Sequence, residues 1–266
     1  MEKLYVIKIG GNIVDDEIQL SSFLQAFSQL SGKKILVHGG GKVATNIGNT
    51  LGITSKYHEG RRITDEATID LVTMVYGGLI NKKIVAQLQS FGTQAIGITG
   101  ADANLIPAVK RPVSPKNGID FGFVGDVKSD QIHTRIWQMF LQENLVPVVA
   151  PLTHDTKGHM LNTNADTMAQ EVAKALSGLY QTELIYSFEK AGVLLNVEDD
   201  QSLIPTLNKS YYAQLKNEEK IFAGMIPKLD NAFAALESGV YKVVIGKAEQ
   251  LNSLISGSTG TSIVHE

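Results

Sequence analysis

Five short motifs in this chain carry groups suited to an anionic ligand. Lys8 stands in an otherwise apolar run, Leu4–Ile9, that ends at Gly10-Gly11. Burying an unpaired ammonium is costly. A lysine aimed along the strand end into a glycine turn would meet an anion whose oxygens also touch glycine N–H groups. The alternative is a lysine that snorkels from an exposed edge. His38-Gly39-Gly40-Gly41-Lys42 follows a second apolar run. Three glycines between a strand and a helix let backbone amides approach a ligand at the helix's positive end. Val43 follows Lys42, and Leu36 stands where a P-loop needs its first glycine, so Lys42 is not a Walker lysine. Gly39, Gly41 and Ala44 do fit the dinucleotide fingerprint, with Glu59 in range of a ribose contact.

The other three motifs open helices. Arg61-Arg62-Ile63-Thr64-Asp65 precedes one, and an arginine at such a junction can clamp a carboxylate bidentately. In Asn162-Thr163-Asn164-Ala165-Asp166, Asn164 reads as an N-cap, which leaves Asn162 and Asp166 to be explained. Gly224-Met225-Ile226-Pro227-Lys228 puts a lysine in a first helical turn, where the dipole disfavours a cation. An anion beside Lys228 would account for it. The 6 histidines show no H-x-x-x-H or H-E-x-x-H spacing, so each reads as a surface or core residue and no metal site is expected on the chain.

The elements that must hold these groups alternate. Apolar runs of strand length at 4–9, 35–37, 94–99, 146–150, 183–186, 243–245 and 262–264 are separated by stretches of helical period. The main helices are expected from Ile18 to Leu30, with Asp15, Asp16 and Glu17 in the first turn, and over 65–89, 131–143, 165–176 and 227–237. Residues 103–127 hold three of the 7 prolines and should be irregular, with a hairpin excursion. This order predicts an α/β fold, a mainly parallel open sheet sandwiched by helices. Two lobes, 1–176 and 177–266, are expected to share that sheet, with ligands beyond the carboxyl ends of its strands.

Composition narrows the function classes. The chain has 266 residues, enough for one large domain or two modest ones. With no cysteine it holds no disulfide framework, thiolate zinc site or iron–sulfur cluster. Its 24 Lys and Arg against 27 Asp and Glu leave −3, which argues against a general nucleic-acid binder. No apolar stretch reaches the about 20 residues of a membrane span, and the opening run is too short for a signal peptide. A cytoplasmic protein is expected, with neither nucleic acid nor membrane as partner.

Taken in order, the motifs resemble the amino acid kinase family through nearly the whole chain. They are Lys8-Ile-Gly-Gly, Val37-His-Gly-Gly-Gly41, Arg62-Ile-Thr64, Phe121-Gly-Phe-Val-Gly125, Asn162-x-Asn-Ala-Asp166, Gly224-Met-Ile-x-Lys228 and Gly260-Thr-Ser-Ile263. The resemblance implies phosphoryl transfer from MgATP to the side-chain carboxylate of an N-acylated L-glutamate, by default the N-acetyl form. Lys8 and Lys228 would neutralise the moving phosphoryl group and the leaving oxygen, and Asp166 would hold both lysines. Gly10 and Gly11 would serve the nucleotide phosphates, and Gly40 and Gly41 the substrate. Arg62 would bind the α-carboxylate and Asn162 the substrate amide, while Mg²⁺ would be held mainly by ATP oxygens. The family's Thr-Asp-Val-Pro-Gly-Val appears here as Phe188-Glu-Lys-Ala-Gly-Val193, so Glu189 would take the aspartate's place beside the nucleotide. Arginine-inhibited members carry an extra helix before the first strand that joins dimers into hexamers. With the first strand near Leu4, the expectation here is a homodimer that arginine does not inhibit.

Other readings stay open at this point. Arg61 could pair with a second carboxylate, as in N-succinylglutamate, or the acceptor could be an aminoadipate derivative. An NAD-dependent dehydrogenase built on the Gly39 fingerprint and a non-catalytic amino acid sensor are the rivals of a different class.

Overall fold

The apolar run at the start of the chain becomes β1 (Lys3–Ile9), with a parallel neighbour on each edge. The structure, a computed structural model, describes residues 1–115, 117–221 and 223–265. The strands that follow are β2 (Lys33–His38), β3 (Lys56–His58), β4 (Arg61–Ile63), β5 (Ala95–Ile98), β6 (Ala108–Lys110) and β7 (Gly125–Val127). Then come β8 (Val146–Val149), β9 (Leu152–His154), β10 (Met160–Asn162), β11 (Gln181–Phe188), β12 (Thr206–Leu207), β13 (Lys242–Lys247) and β14 (Thr261–Ile263). The helices are α1 (Gly11–Asp15), α2 (Glu17–Gln29), α3 (Gly41–Thr50), α4 (Glu66–Val72) and α5 (Asn81–Ser90). The chain then forms α6 (Thr134–Gln142), α7 (Ala165–Leu176), α8 (Lys209–Asn217), α9 (Ile226–Glu237) and α10 (Leu251–Ser256).

Among the described residues the main sheet has 8 strands in the order β12-β14-β13-β11-β1-β2-β8-β5. Every pairing in it is parallel except β13 with β14. This is the mainly parallel, helix-covered sheet expected from the alternation. Alternation along β1 splits its side chains between two cores. Leu4 and Val6 join Trp137, Val172 and Leu229 on one face, whereas Tyr5, Ile7 and Ile9 join Leu24, Val72 and Ile84 on the other. Both faces being covered explains why the strand reads as a continuous apolar run. Lys8 shares the Leu4/Val6 face, the one against which α7 packs.

Local chemistry shifts some boundaries. Asp16 is the N-cap of α2, accepting from the backbone N–H of Ile18 (2.9 Å) and Gln19 (3.0 Å). Glu17 is in the first turn as expected, but Asp15 ends the separate short helix α1. The helix expected over 65–89 is three pieces, α4, a π-helical stretch Thr73–Ile80, and α5. The wide π turn occurs where Gly77 and Gly78 lower side-chain crowding, and it brings both Tyr76 and Ile80 against Gly40. The excursion over 103–127 contains the antiparallel pair β6–β7. The small antiparallel pairs β3–β4 and β9–β10 escaped the sequence reading because three-residue strands are too short to show a period. No helix among the described residues is long and apolar enough to cross a membrane.

Candidate active site

The carboxyl ends of β1, β2 and β11 lie side by side, with Ile9 paired to both His38 and Ser187. The two glycine turns therefore meet. Gly10 N–H donates to the Ser187 carbonyl at 2.9 Å, and a Cβ on Gly39 would sit 3.4 Å from Gly11 N. Gly40 is the N-cap of α3 and Gly41 its first residue, so Gly39–Gly41 open a helix as predicted.

Above these turns three elements converge on one carboxylate. Asn164 caps α7 by accepting from the N–H groups of Asp166 (2.9 Å) and Thr167 (3.0 Å), the structural role read from the sequence. That cap fixes Asp166 in the first turn, where it is 9 % exposed. Lys8 Nζ forms an ion pair with Asp166 Oδ1 at 2.8 Å, and Lys228 Nζ donates to Asp166 Oδ2. Burial alone would push the Asp166 carboxyl up, but the Lys8 and Lys228 ammonium groups outweigh it and hold the group well below the usual carboxylate range. The anion expected beside Lys228 is thus a side chain of the chain itself. Two cations and one anion leave a net positive charge at the mouth of the glycine turns.

Arg62 is 8 % exposed and lies against Gly41. Its Nη2 donates to the Gly41 carbonyl (2.7 Å) and Thr45 Oγ1 (2.9 Å), its Nη1 donates to Ser55 Oγ, and its guanidinium sits 4.9 Å from the Tyr57 ring centroid. Three of its five N–H donors are thereby used, and the Tyr76 hydroxyl lies beside the same guanidinium. Asn162 ends β10, and its amide donates to Thr64 Oγ1 at 3.0 Å. The Phe121–Gly125 motif joins these segments. Thr64 N–H donates to Phe121 O (2.9 Å), Phe123 N–H to Thr64 O (2.7 Å), and Asn162 N–H to Phe123 O (2.8 Å). Thr261, from the Gly260–Ile263 motif, accepts from Val193 N–H at 2.8 Å and donates to Ile204 O at 2.6 Å. Thr45, Ser55 and Tyr57 were not predicted. Nothing in their spacing marks them, because β3 and β4 bring them to Arg62 only after folding.

Two readings lose their geometry. Arg61 is exposed, whereas its neighbour Arg62 is buried, since adjacent strand residues point to opposite sides. It lacks the placement needed to read an acyl carboxylate. Glu59, the proposed ribose contact of the dehydrogenase reading, is exposed at the turn between β3 and β4, beyond the pair His58–Arg61. That reading also leaves the Lys8–Asp166–Lys228 cluster without a role.

A cavity of about 200 Å³ adjoins the cluster, lined by Phe188, Val193, Leu194, Ile221, Met225 and Lys228. Glu189 is exposed and belongs to the same lining. A larger cavity, about 420 Å³, lies at the opposite edge of the sheet beside Lys33, Lys34, Gln94 and Val146. There the Lys34 ammonium donates to the carbonyls of Phe27, Ser28 and Leu30, so its three protons are spent on the end of α2.

The cluster predicts how stability responds to acid. Because the folded Asp166 carboxyl ionises at lower pH than an unfolded one, its contribution is present above the ordinary aspartate range and is lost as pH falls through and below it. Asp166→Asn leaves the buried Lys8 and the half-buried Lys228 ammonium groups unpaired and should cost about 3–5 kcal/mol near neutral pH. Urea unfolding at a series of pH values should show this gap constant above about pH 5 and shrinking below about pH 4. A gap independent of pH would contradict it.

Comparison with known proteins agrees with the geometry. A family model described as the amino acid kinase family matches residues 3–247. The chain is 55% identical to the acetylglutamate kinase of Cytophaga hutchinsonii over 266 residues, covering 99% of each chain. It is 52% identical to that of Bacteroides thetaiotaomicron over 262 residues, covering 98% of each. Its fold matches the N-acetylglutamate synthase of Neisseria gonorrhoeae, solved with coenzyme A and N-acetyl-glutamate, with a TM-score of 0.81 at 23% identity. That match covers 100% of this chain and 60% of the synthase chain, and it speaks to the fold alone. On its motifs, its fold and these matches, the chain belongs to the amino acid kinase family.

Proposed function

We propose that this protein transfers the terminal phosphoryl group of ATP to the side-chain carboxylate of N-acetyl-L-glutamate, as a cytoplasmic enzyme of arginine biosynthesis. The observation that carries this is the Lys8–Asp166–Lys228 bridge directly above two adjoining glycine turns. The curated relatives named above support the choice of substrate.

The chemistry asks little of a base. A carboxylate nucleophile has no proton to remove, so positioning and charge stabilisation supply the rate. Lys8 and Lys228 meet the charge that develops on the transferred group and on the leaving oxygen. Asp166 keeps the two ammonium groups together and takes no proton. Gly11 offers its backbone N–H to the nucleotide phosphates, Gly10, whose own N–H is spent on Ser187 O, lets the backbone turn close beside them, and Gly40 and Gly41 offer their N–H groups to the acceptor. Arg62 receives the α-carboxylate through its positive charge, and Asn162, held by Thr64, receives the acetamido group. The net positive charge of the cluster and the adjoining apolar cavity fit a nucleotide with its phosphates inward, Glu189 beside it. Mg²⁺ arriving with ATP would screen the phosphate oxygens, with the lysines completing that role from the protein side.

The sheet order supports a division of labour. β1, β2, β5 and β8, from residues 1–176, lie on one side and would carry the amino acid, and β11 to β14, from 177–266, lie on the other and would carry the nucleotide. The family resemblance further supports a homodimer.

Lys8→Ala and Lys228→Ala should each lower turnover by about 10²–10³ or more with the fold intact. The assay is coupled detection of ADP released in the presence of N-acetylglutamate, with NAD⁺-dependent turnover run in parallel. Near-normal turnover in either variant removes that lysine from its role, and NAD⁺ reduction in place of ADP release overturns the kinase reading. Comparing kcat/KM on N-acetyl- and N-succinylglutamate, Arg61→Leu should leave the ratio of the two unchanged. A changed ratio would return Arg61 to the acyl site. Light scattering should give twice the mass of one chain, and a monomer would exclude the dimer.

A further inference from the structure

His38 closes β2 with 0 % of its surface exposed, and the phosphoryl transfer described above makes no use of it. Its ring lies between two fixed groups. Nδ1 is 2.7 Å from the Gly39 carbonyl oxygen, and Nε2 is 3.2 Å from Nδ2 of Asn81, the first residue of α5. The position of the ring proton follows from the partners. Asn81 Nδ2 also donates to the Val148 carbonyl at 2.9 Å, and a carbonyl can only accept. Asn81 Oδ1 accepts from Lys82 Nζ at 3.2 Å, and the same ammonium donates to Gly97 O at 2.9 Å. The amide therefore turns its NH₂ group to His38, Nε2 accepts, and the ring proton sits on Nδ1, where Gly39 O receives it. Burial pushes the imidazole down to about 4, so the ring is neutral near pH 7.

The consequence lies in the next peptide. A trans peptide points its C=O and N–H in opposite directions. With Gly39 O tied to His38, the Gly40 N–H points the other way, and it meets no acceptor among the described residues. Gly40 has φ +149°, and a Cβ there would lie 2.3 Å from Ile80 Cδ1. Ile80 and Asn81 are consecutive, so one corner of the chain holds the turn from two sides. Room for this corner is kept on β5, where a Cβ on Gly97 would lie 1.9 Å from Asn81 Oδ1.

We infer that His38 and Asn81 are positioning residues, a buried neutral relay that sets the Gly39–Gly40 peptide plane so that the Gly40 N–H faces the reacting oxygens. This rests on the kinase reading above, which wild-type ADP release tests separately. His38→Asn keeps an N–H donor where Nδ1 stood, whereas His38→Gln carries its amide to the Nε2 position and leaves Gly39 O without one. His38→Gln should lower kcat by about 10- to 100-fold with both KM values little changed. His38→Asn should keep most of kcat.

A packing role alone would lower the melting temperature of both variants and leave kcat per folded molecule alike, and equal kcat values overturn the proposal. If His38→Gln does not fold, Asn81→Ser leaves His38 in place and should show the same fall in kcat, with an unchanged kcat overturning it. Nitrogen-15 NMR of histidine-labelled protein without substrate should show a neutral ring protonated at Nδ1 for the signal that His38→Asn removes. An Nε2-protonated ring there overturns the relay whatever the enzyme's activity.

Discussion

Two ammonium groups and one carboxylate, all largely withdrawn from water, set the terms for the rest of this protein. Desolvation costs several kcal/mol per ion, so neither Lys8 nor Asp166 would be stable in place alone. Together with Lys228 they compensate one another, and the single carboxylate leaves one positive charge over. That surplus suits a polyanionic ligand. The arrangement requires three chain segments, β1, α7 and α9, to arrive at one point from positions 158 and 62 residues apart in sequence.

The parallel sheet makes that arrival possible. β1 sits between β2 and β11, so the turns after neighbouring strands open at the same edge, and both contain glycines. Strand alternation places Lys8 on the α7 face, the Asn164 cap fixes where α7 begins, and Pro227 helps start α9 one residue before Lys228. Each device is local. Their agreement puts three charged tips within hydrogen-bonding reach.

The surroundings of Arg62 are held differently. Arg62 sits over the Tyr57 ring and donates to Gly41 O, Thr45 and Ser55, so its guanidinium is oriented before any ligand arrives. Preorganisation of this kind reduces the ordering that binding must impose. The π-helical corner at Thr73–Ile80 has the same effect on the glycine turn. Tyr76 and Ile80 abut Gly40, and Asn81 reaches His38.

Much of this was legible in the residues. The apolar runs, the glycines that end them and the capping signals around Asn164 and Pro227 carry local information, and the sheet class follows from their alternation. The unusual positions of Lys8 and Lys228 declared a need for counterions without saying which. Asp166 as their common partner, the exposure of Arg61 beside buried Arg62, and the network around Arg62 depend on contacts between distant segments. His38 shows the limit best. Its place in the glycine motif was plain, but whether a histidine is buried, neutral and hydrogen-bonded on both nitrogens depends on Asn81, Val148 and Gly39 meeting around it. By itself, the sequence determined which segments become strands and helices and which side chains must find partners, because period, capping and glycine freedom act over a few residues. Only the tertiary structure decided which partners those are, because burial and pairing energies are set by neighbours that the chain brings together from far along its length.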